Sequence, residues 1–138
     1  MKKLVALTLA LVLVLGLCAT AFAATYPTVS LAAKYKNKKV WQGDAYTYVF
    51  KLKSNSYYYS NSEYRSEFAM GIAKSNTGVV YSYKDIVFTG NVNYKLTLPA
   101  SQTWDMPIGT YNVVYGTYFK SGSSWYPYQM FTTKLYIK

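Results

Sequence analysis

From Thr28 onward, hydrophobic and polar positions alternate with a period of two, and no stretch keeps a helical period over three turns. Such alternation is typical of half-buried strands. Turn-forming runs such as 75–78 separate the alternating segments, which are 28–33, 46–53, 67–73, 79–83, 86–89, 94–98, 111–115 and 131–137. The pattern predicts an all-β fold, an antiparallel β-sandwich of seven to eight strands that forms a single domain.

Two short stretches resemble bacterial immunoglobulin-like and fibronectin-III-like domains. Residues 107–115, PIGTYNVVY, are similar to the penultimate strand of those domains, in which a glycine turn precedes an inward tyrosine, here Tyr111. Residues 40–44, VWQGD, are similar to the entry into their second strand. Unlike antibody domains, the chain has no paired cysteines, and Phe68 and Met70 stand where their third strand has a tryptophan. The resemblance implies an immunoglobulin-like sandwich that binds or spaces rather than catalyses.

The first 23 residues are expected to be a cleaved signal peptide. Lys2 and Lys3 precede an apolar run over 4–17, and residues 21–23, Ala-Phe-Ala, form a small-x-small cleavage site. Cleavage after that site leaves a domain over 24–138. The alternative, an uncleaved anchor, would use a run that is nearly long enough to span a bilayer, but the cleavage site favours removal.

Cys18 raises a third possibility, a lipoprotein, which the bulky residue Leu17 before it disfavours. The predicted product is therefore secreted, extracellular or loosely associated with the cell envelope, with no stable membrane insertion.

Several catalytic chemistries have no residues to carry them. There is no histidine, and the single cysteine leaves with the signal, which excludes Cys-His and Ser-His-Asp catalysis and thiolate or imidazole metal sites. The five carboxylates are expected to lie apart in a sandwich, except for an exposed ion-pair cluster around Arg65; they are Asp44, Glu63, Glu67, Asp85 and Asp105. We therefore predict no enzyme, no cofactor and no metal.

The predicted mature chain is basic and rich in tyrosine. Without Lys2 and Lys3, the fifteen basic residues fall to thirteen against five acidic ones, a net charge of +8, and all 17 tyrosines remain. Such a charge attracts polyanions. Tyrosine suits both half-buried sheets and binding faces.

One aromatic patch is predicted at one end of the sandwich. Tyr57, Tyr58 and Tyr59 stand among Ser and Asn, which places them in the loop between the second and third strands. The segment 120–128 is expected to form the loop between the last two strands, at the same end in an immunoglobulin topology. Its aromatic members are Trp125, Tyr126 and Tyr128. Rings mixed with small polar residues suit a glycan, whereas the competing interpretation is that they cap the open end of the sandwich.

A second predicted site is a polyanion-binding cluster near the opposite end, with Trp104 expected nearby. Its members are Lys34, Lys36, Lys38, Lys39 and Trp41. A solvated lysine-rich face is the simpler interpretation.

The first functional expectation is a non-catalytic exported module that binds a cell-wall polymer or acidic polysaccharide through aromatic loops and a basic surface. The second is a structural matrix protein that self-associates into homo-oligomers through strand edges. A cationic membrane-active protein is the third, weakened by the lack of an amphipathic helix. No dedicated nucleic-acid partner is expected in an exported protein, although aromatic and basic residues together also suit single strands.

Overall fold

The computed structural model describes residues 26–54, 64–121 and 123–138. The predicted signal peptide and the run Tyr57, Tyr58 and Tyr59 lie outside the described residues. Numbered along the described chain, the strands are β1 (Thr28–Leu31), β2 (Lys38–Val40), β3 (Tyr46–Ser54), β4 (Tyr64–Lys74), β5 (Val80–Phe88), β6 (Gly90–Leu98), β7 (Gly109–Ser121) and β8 (Ser124–Ile137). A 3-10 turn (Ala33–Tyr35) follows β1, and one short helix, α1 (Ala100–Asp105), follows β6.

The strands form two sheets. One has three strands in the order β1-β3-β6, and the other has five in the order β2-β8-β7-β4-β5. Neighbours pair antiparallel except β2 and β8, which are parallel. The all-β prediction is thus confirmed as a two-sheet architecture.

The core lies between the two sheets and is built from the inward half of each alternating pattern. Phe50 on β3 meets Phe68 on β4 with ring centroids 4.9 Å apart, and Tyr115 on β7 with centroids 5.2 Å apart. Aliphatic side chains from both sheets surround these rings, among them Leu98 and Ile72, both fully buried. Burial of such side chains is the main favourable term in folding.

Three segments differ from the sequence prediction. The predicted strands 79–83 and 86–89 are one continuous strand, β5, paired along β4. The connection after Pro99 contains α1 rather than loop alone. The segment 120–128, predicted as a loop, belongs mostly to β7 and β8, which are joined by a tight hairpin. Within the described ranges, no helix is long and apolar enough to cross a membrane.

Candidate functional site

The outward face of the three-stranded sheet is cationic. Lys51 and Lys53 project from β3, and Lys95 projects from β6, because residues two apart on a strand share a face. Amide and hydroxyl groups flank Lys51 and Lys53 and line with them a shallow depression of about 320 Å³; they belong to Thr28, Ser30, Asn91 and Asn93. None of the residues described on this face is acidic. The face therefore offers positive charge together with neutral hydrogen-bonding groups.

Of the predicted aromatic patch, the structure describes Trp125, Tyr126 and Tyr128, and Trp125 lies apart from the two tyrosines. Trp125 and Tyr126 are consecutive in β8, so they point to opposite faces of the five-stranded sheet. Trp125 pairs with Lys120 and lies on the outward face, where its ring has the Arg65 guanidinium 5.3 Å and the Lys120 ammonium 5.6 Å from its centroid. Its side chain is 39% exposed. This arrangement corrects the loop placement of Trp125: a strand holds the ring within about 6 Å of two cations.

Tyr126 and Tyr128 belong to a different aromatic group. The Tyr126 ring stacks on Phe119 at 5.3 Å, and Phe119 stacks on Tyr26 at 4.8 Å. Tyr128 is the extra residue at an irregularity in the β7–β8 pairing, and its ring contacts Tyr26 at 5.0 Å. Tyr126 and Tyr128 thus each contact one ring of this group, and much of their surface stays exposed. Among the described residues, Trp125 and Tyr126 therefore lie on opposite faces of the sheet, which divides the predicted patch.

The predicted lysine cluster is also divided. Lys34 lies over the Tyr35 ring at 5.2 Å, and Lys38 lies over the Tyr46 ring at 5.6 Å. Those two rings are 6.5 Å apart, so Lys34 and Lys38 flank one aromatic pair. Lys39 follows Lys38 in β2 and projects to the other side.

Lys36 and Trp41 lie apart from that pair. Lys36 lines a depression of about 150 Å³ beside Ser30 and Phe131. Trp41 is exposed and carries Lys138 over its ring at 5.2 Å. Ser30 also borders the cationic depression, which makes Lys36 the member of the predicted cluster that adjoins the three-stranded face.

Trp104 lies next to the turn that follows Trp41, as the sequence predicts. The Gly43 backbone amide donates to Thr103 Oγ1 at 3.2 Å, and Gln42 Nε2 donates to the Met106 carbonyl at 2.7 Å. A Cβ atom on Gly43 would lie 3.2 Å from the Trp104 ring. These contacts fix α1 against the turn and leave Trp104 largely exposed.

The outward face of the five-stranded sheet holds a depression that sequence reasoning missed. It measures about 190 Å³, and its lining residues are Ala69, Met70, Gly71, Tyr83, Val114, Tyr118 and Met130. These positions come from four strands and follow no local motif. Alternation alone could have placed Tyr83 and Tyr118 outward, but only the register brings them together.

Two carboxylates stand beside this depression. Glu67 on β4 and Asp85 on β5 both point outward from adjacent strands, which corrects the expectation that they lie apart. Burial and then the Asp85 charge raise the pKa of Glu67, which Arg65 partly opposes. Asp85 also hydrogen-bonds the Tyr83 hydroxyl, and burial together with these neighbouring groups raises the pKa of that phenol.

Glu67→Gln is expected to stabilise the fold at neutral pH. A carboxyl whose folded pKa is raised binds its proton more tightly in the folded state, so ionisation costs stability as the pH rises through that pKa. The variant should therefore unfold at higher urea than the parent at pH 7, and the difference should vanish below the ordinary pKa of 4.5. Urea titrations of both proteins between about pH 4 and pH 7 measure this difference in stability. A variant less stable than the parent at pH 7 would contradict a raised pKa for Glu67.

Comparison with known proteins does not assign a family. No protein-family model matches the chain, and no curated protein matches it either. Among solved structures, a β-glucosidase from Listeria innocua in complex with isofagomine is similar over 83% of this chain, with 7% identity and a TM-score of 0.41. The match spans only 17% of the β-glucosidase chain.

The major subunit of aggregative adherence fimbriae type I from Escherichia coli is similar over 83% of this chain and 94% of its own, with 10% identity and a TM-score of 0.38. Both likenesses are loose, and neither says what this chain binds.

Proposed function

We propose that this chain is an exported, non-catalytic module that binds anionic polymers of the cell envelope through its basic surface. Export is proposed from the sequence of residues 1–23. The ligand class is an anionic glycan, such as a teichoic acid or an acidic polysaccharide. The observation that carries the proposal is the outward face of the three-stranded sheet, where Lys51, Lys53 and Lys95 stand among amide and hydroxyl groups.

The arrangement of charge on this face suits a polymer better than a small anion. Lys51 and Lys53 are two residues apart on β3, about 7 Å along the strand. Lys95 lies on the neighbouring strand, opposite Val49. Three exposed cations on a flat surface can contact successive charges of an extended chain, and the amides of Asn91 and Asn93 can bond its hydroxyls.

We also propose an immunoglobulin-like arrangement for the two sheets. The orders β1-β3-β6 and β2-β8-β7-β4-β5 support it. So does Tyr111, near the start of β7, whose hydroxyl donates to the Pro107 carbonyl at 2.5 Å, in the manner of a tyrosine corner. In this arrangement the cationic face belongs to the smaller sheet, away from Trp125 and its two cations.

Replacing Lys51, Lys53 and Lys95 together by Gln is expected to weaken binding to purified teichoic acid about 100-fold at low salt. Each lysine near an anionic surface contributes about 1 kcal/mol, and about 3 kcal/mol corresponds to roughly that factor. Binding of the parent should also fall steeply with added salt, which screens exposed charges. Isothermal titration calorimetry at two salt concentrations measures both effects.

The matched control removes the same charge elsewhere, with Lys34, Lys38 and Lys39 replaced by Gln. This variant should lose less than about tenfold, because it changes the long-range attraction and not the contact surface. Equal losses in the two variants would mean that net charge alone drives binding. A larger loss in the control would move the site to the cluster first predicted around Trp41.

A further inference from the structure

The depression on the outward face of the five-stranded sheet has the chemistry of a second binding site. Its floor is made of residues without bulk, Ala69 and Gly71, and a Cβ on Gly71 would lie 3.6 Å from the Tyr83 ring. The Tyr83 ring therefore rests against the β4 backbone with one side, and 62% of the side chain stays open to solvent. A sheet surface with a ring held in this way offers a flat apolar platform beside a recess.

The walls of the depression divide into an aromatic and an aliphatic part. Tyr83 and Tyr118 bring phenol rings, whereas Val114 and Met130 bring exposed apolar surface. Its volume of about 190 Å³ is smaller than the range of about 300–1,000 Å³ for sites that enclose drug-sized ligands. The depression is thus suited to one ring of a larger molecule that continues across the sheet.

The rim of the depression supplies hydrogen-bond acceptors. Asp85 accepts a hydrogen bond from the Tyr83 hydroxyl. Glu67 is the cross-strand partner of Tyr118 and lies on the same outward face. Carboxylates accept hydrogen bonds from hydroxyl groups and repel anions. This rim therefore suits a hydroxyl-rich ligand without negative charge, unlike the cationic face of the other sheet.

We propose that this depression binds one uncharged pyranose ring of a polysaccharide, stacked on Tyr83 and hydrogen-bonded to Asp85 and Glu67. The apolar face of a sugar ring matches the phenol ring, and its equatorial hydroxyls match the carboxylate rim. Val114 and Met130 would contact an apolar substituent such as an acetamido methyl group. The site does not rest on the proposed polyanion binding, because its residues and its ligand charge are different.

A second copy of the chain is a poorer occupant of this surface. A symmetric dimer places the same patch of both copies face to face. Here that would bury the Glu67 and Asp85 carboxylates of both copies in one interface, and buried charges are costly unless they are paired.

The test is an NMR titration of the protein, purified after expression of the full chain, with two neutral probes at high salt. The probes are the β-1,4-linked hexamers of glucose and of N-acetylglucosamine, and high salt screens the lysine face. We expect shift changes at the amides of Ala69, Gly71 and Gly116 with at least one probe. Tyr83→Ala should weaken that binding about tenfold, as expected for an anchoring ring.

Two further variants separate the site from a general loss of structure. Gly71→Val fills the floor with a residue that favours strands. It should abolish binding, and urea unfolding of the variant checks that its fold is kept. Tyr126→Ala, on the opposite face, should bind like the parent. No shift changes with either probe, or full binding by Gly71→Val, would overturn the proposal.

Self-association provides the other decisive outcome. Sedimentation velocity should find the same molecular size for the parent and for Tyr83→Ala at all concentrations. Dimers that disappear in Tyr83→Ala would assign the surface to a second copy and would also overturn the proposal. The Lys51, Lys53 and Lys95 variant should bind both neutral probes as the parent does, so failure here is distinguishable from failure of the polyanion site.

Discussion

Phe68→Ala is expected to lower the free energy of unfolding by about 4 kcal/mol. Phe68 is fully buried on β4, which lies between β7 and β5 in the five-stranded sheet, and its ring reaches the three-stranded sheet. There it meets Phe50 at 4.9 Å and Tyr94 at 5.8 Å between ring centroids. Truncation removes the ring that joins the two layers and leaves a cavity that neighbouring strands cannot close without losing their pairing.

Equilibrium unfolding in urea measures this loss, provided that the slope with urea is unchanged. Phe131→Ala is the matched control, because Phe131 is 41% exposed and its truncation should cost about 1 kcal/mol. A loss below about 2 kcal/mol for Phe68→Ala would mean that this ring does not join the layers as described.

Gly116→Ala is expected to cost about 3 kcal/mol, a large effect for one methyl group. A Cβ at Gly116 would overlap the backbone oxygen of Gln129 and lie 2.9 Å from the Met130 sulfur. Gly116 stands next to the irregularity in the β7–β8 pairing, where Tyr128 is the extra residue. Because the clash is with backbone, relief requires a shift of β8 and not a change of rotamer.

Gly71→Ala is the control for this prediction. Gly71 lies on the same sheet face as Gly116, but a Cβ there has its nearest neighbours at 3.6 and 3.7 Å, which is ordinary contact. We expect its stability to lie within about 0.5 kcal/mol of the parent. Urea unfolding of the two variants side by side decides the matter, and equal stabilities would contradict the close approach of β8 to Gly116.

Alternation predicted the strands well wherever a strand has one buried face. On β3, Tyr48, Phe50 and Leu52 are buried as the period of two requires. The same rule places Phe68, Met70 and Ile72 in the core. In these segments the hydrophobic effect acts on each residue separately, so a local pattern is enough.

The long β7–β8 hairpin could not be predicted in the same way. Its distal half has a loop-like composition, and residues such as Tyr126 and Tyr128 are exposed. This half forms strand because most of its residues pair across the hairpin, as Tyr126 does with Phe119 and Trp125 with Lys120. The residues that a strand pairs with are information that its own sequence pattern does not carry.

The same limit applies to the candidate sites. The cationic face needs β3 and β6 side by side, although more than forty residues separate Lys51 from Lys95. A sequence pattern indicates a basic cluster only where lysines are close along the chain, as they are from Lys34 to Lys39. The Tyr83 depression depends on Ala69 and Gly71, whose contribution is the space they leave.

The two proposals place different chemistries on opposite sides of the sandwich. The three-stranded sheet carries Lys51, Lys53 and Lys95, whereas the five-stranded sheet carries Tyr83 with two carboxylates. A module with this division could hold an anionic polymer on one side and an uncharged glycan on the other. Mutations can remove the binding residues of either site without changing those of the other.

The most direct measurement for the central claim is an NMR map of purified teichoic acid on the protein at low salt. We predict that the largest amide shift changes fall on β3 and β6, around Lys51, Lys53 and Lys95, and that they disappear when salt is added. Shift changes centred on residues 34–41, or none at all, would contradict the assignment of polymer binding to the three-stranded sheet.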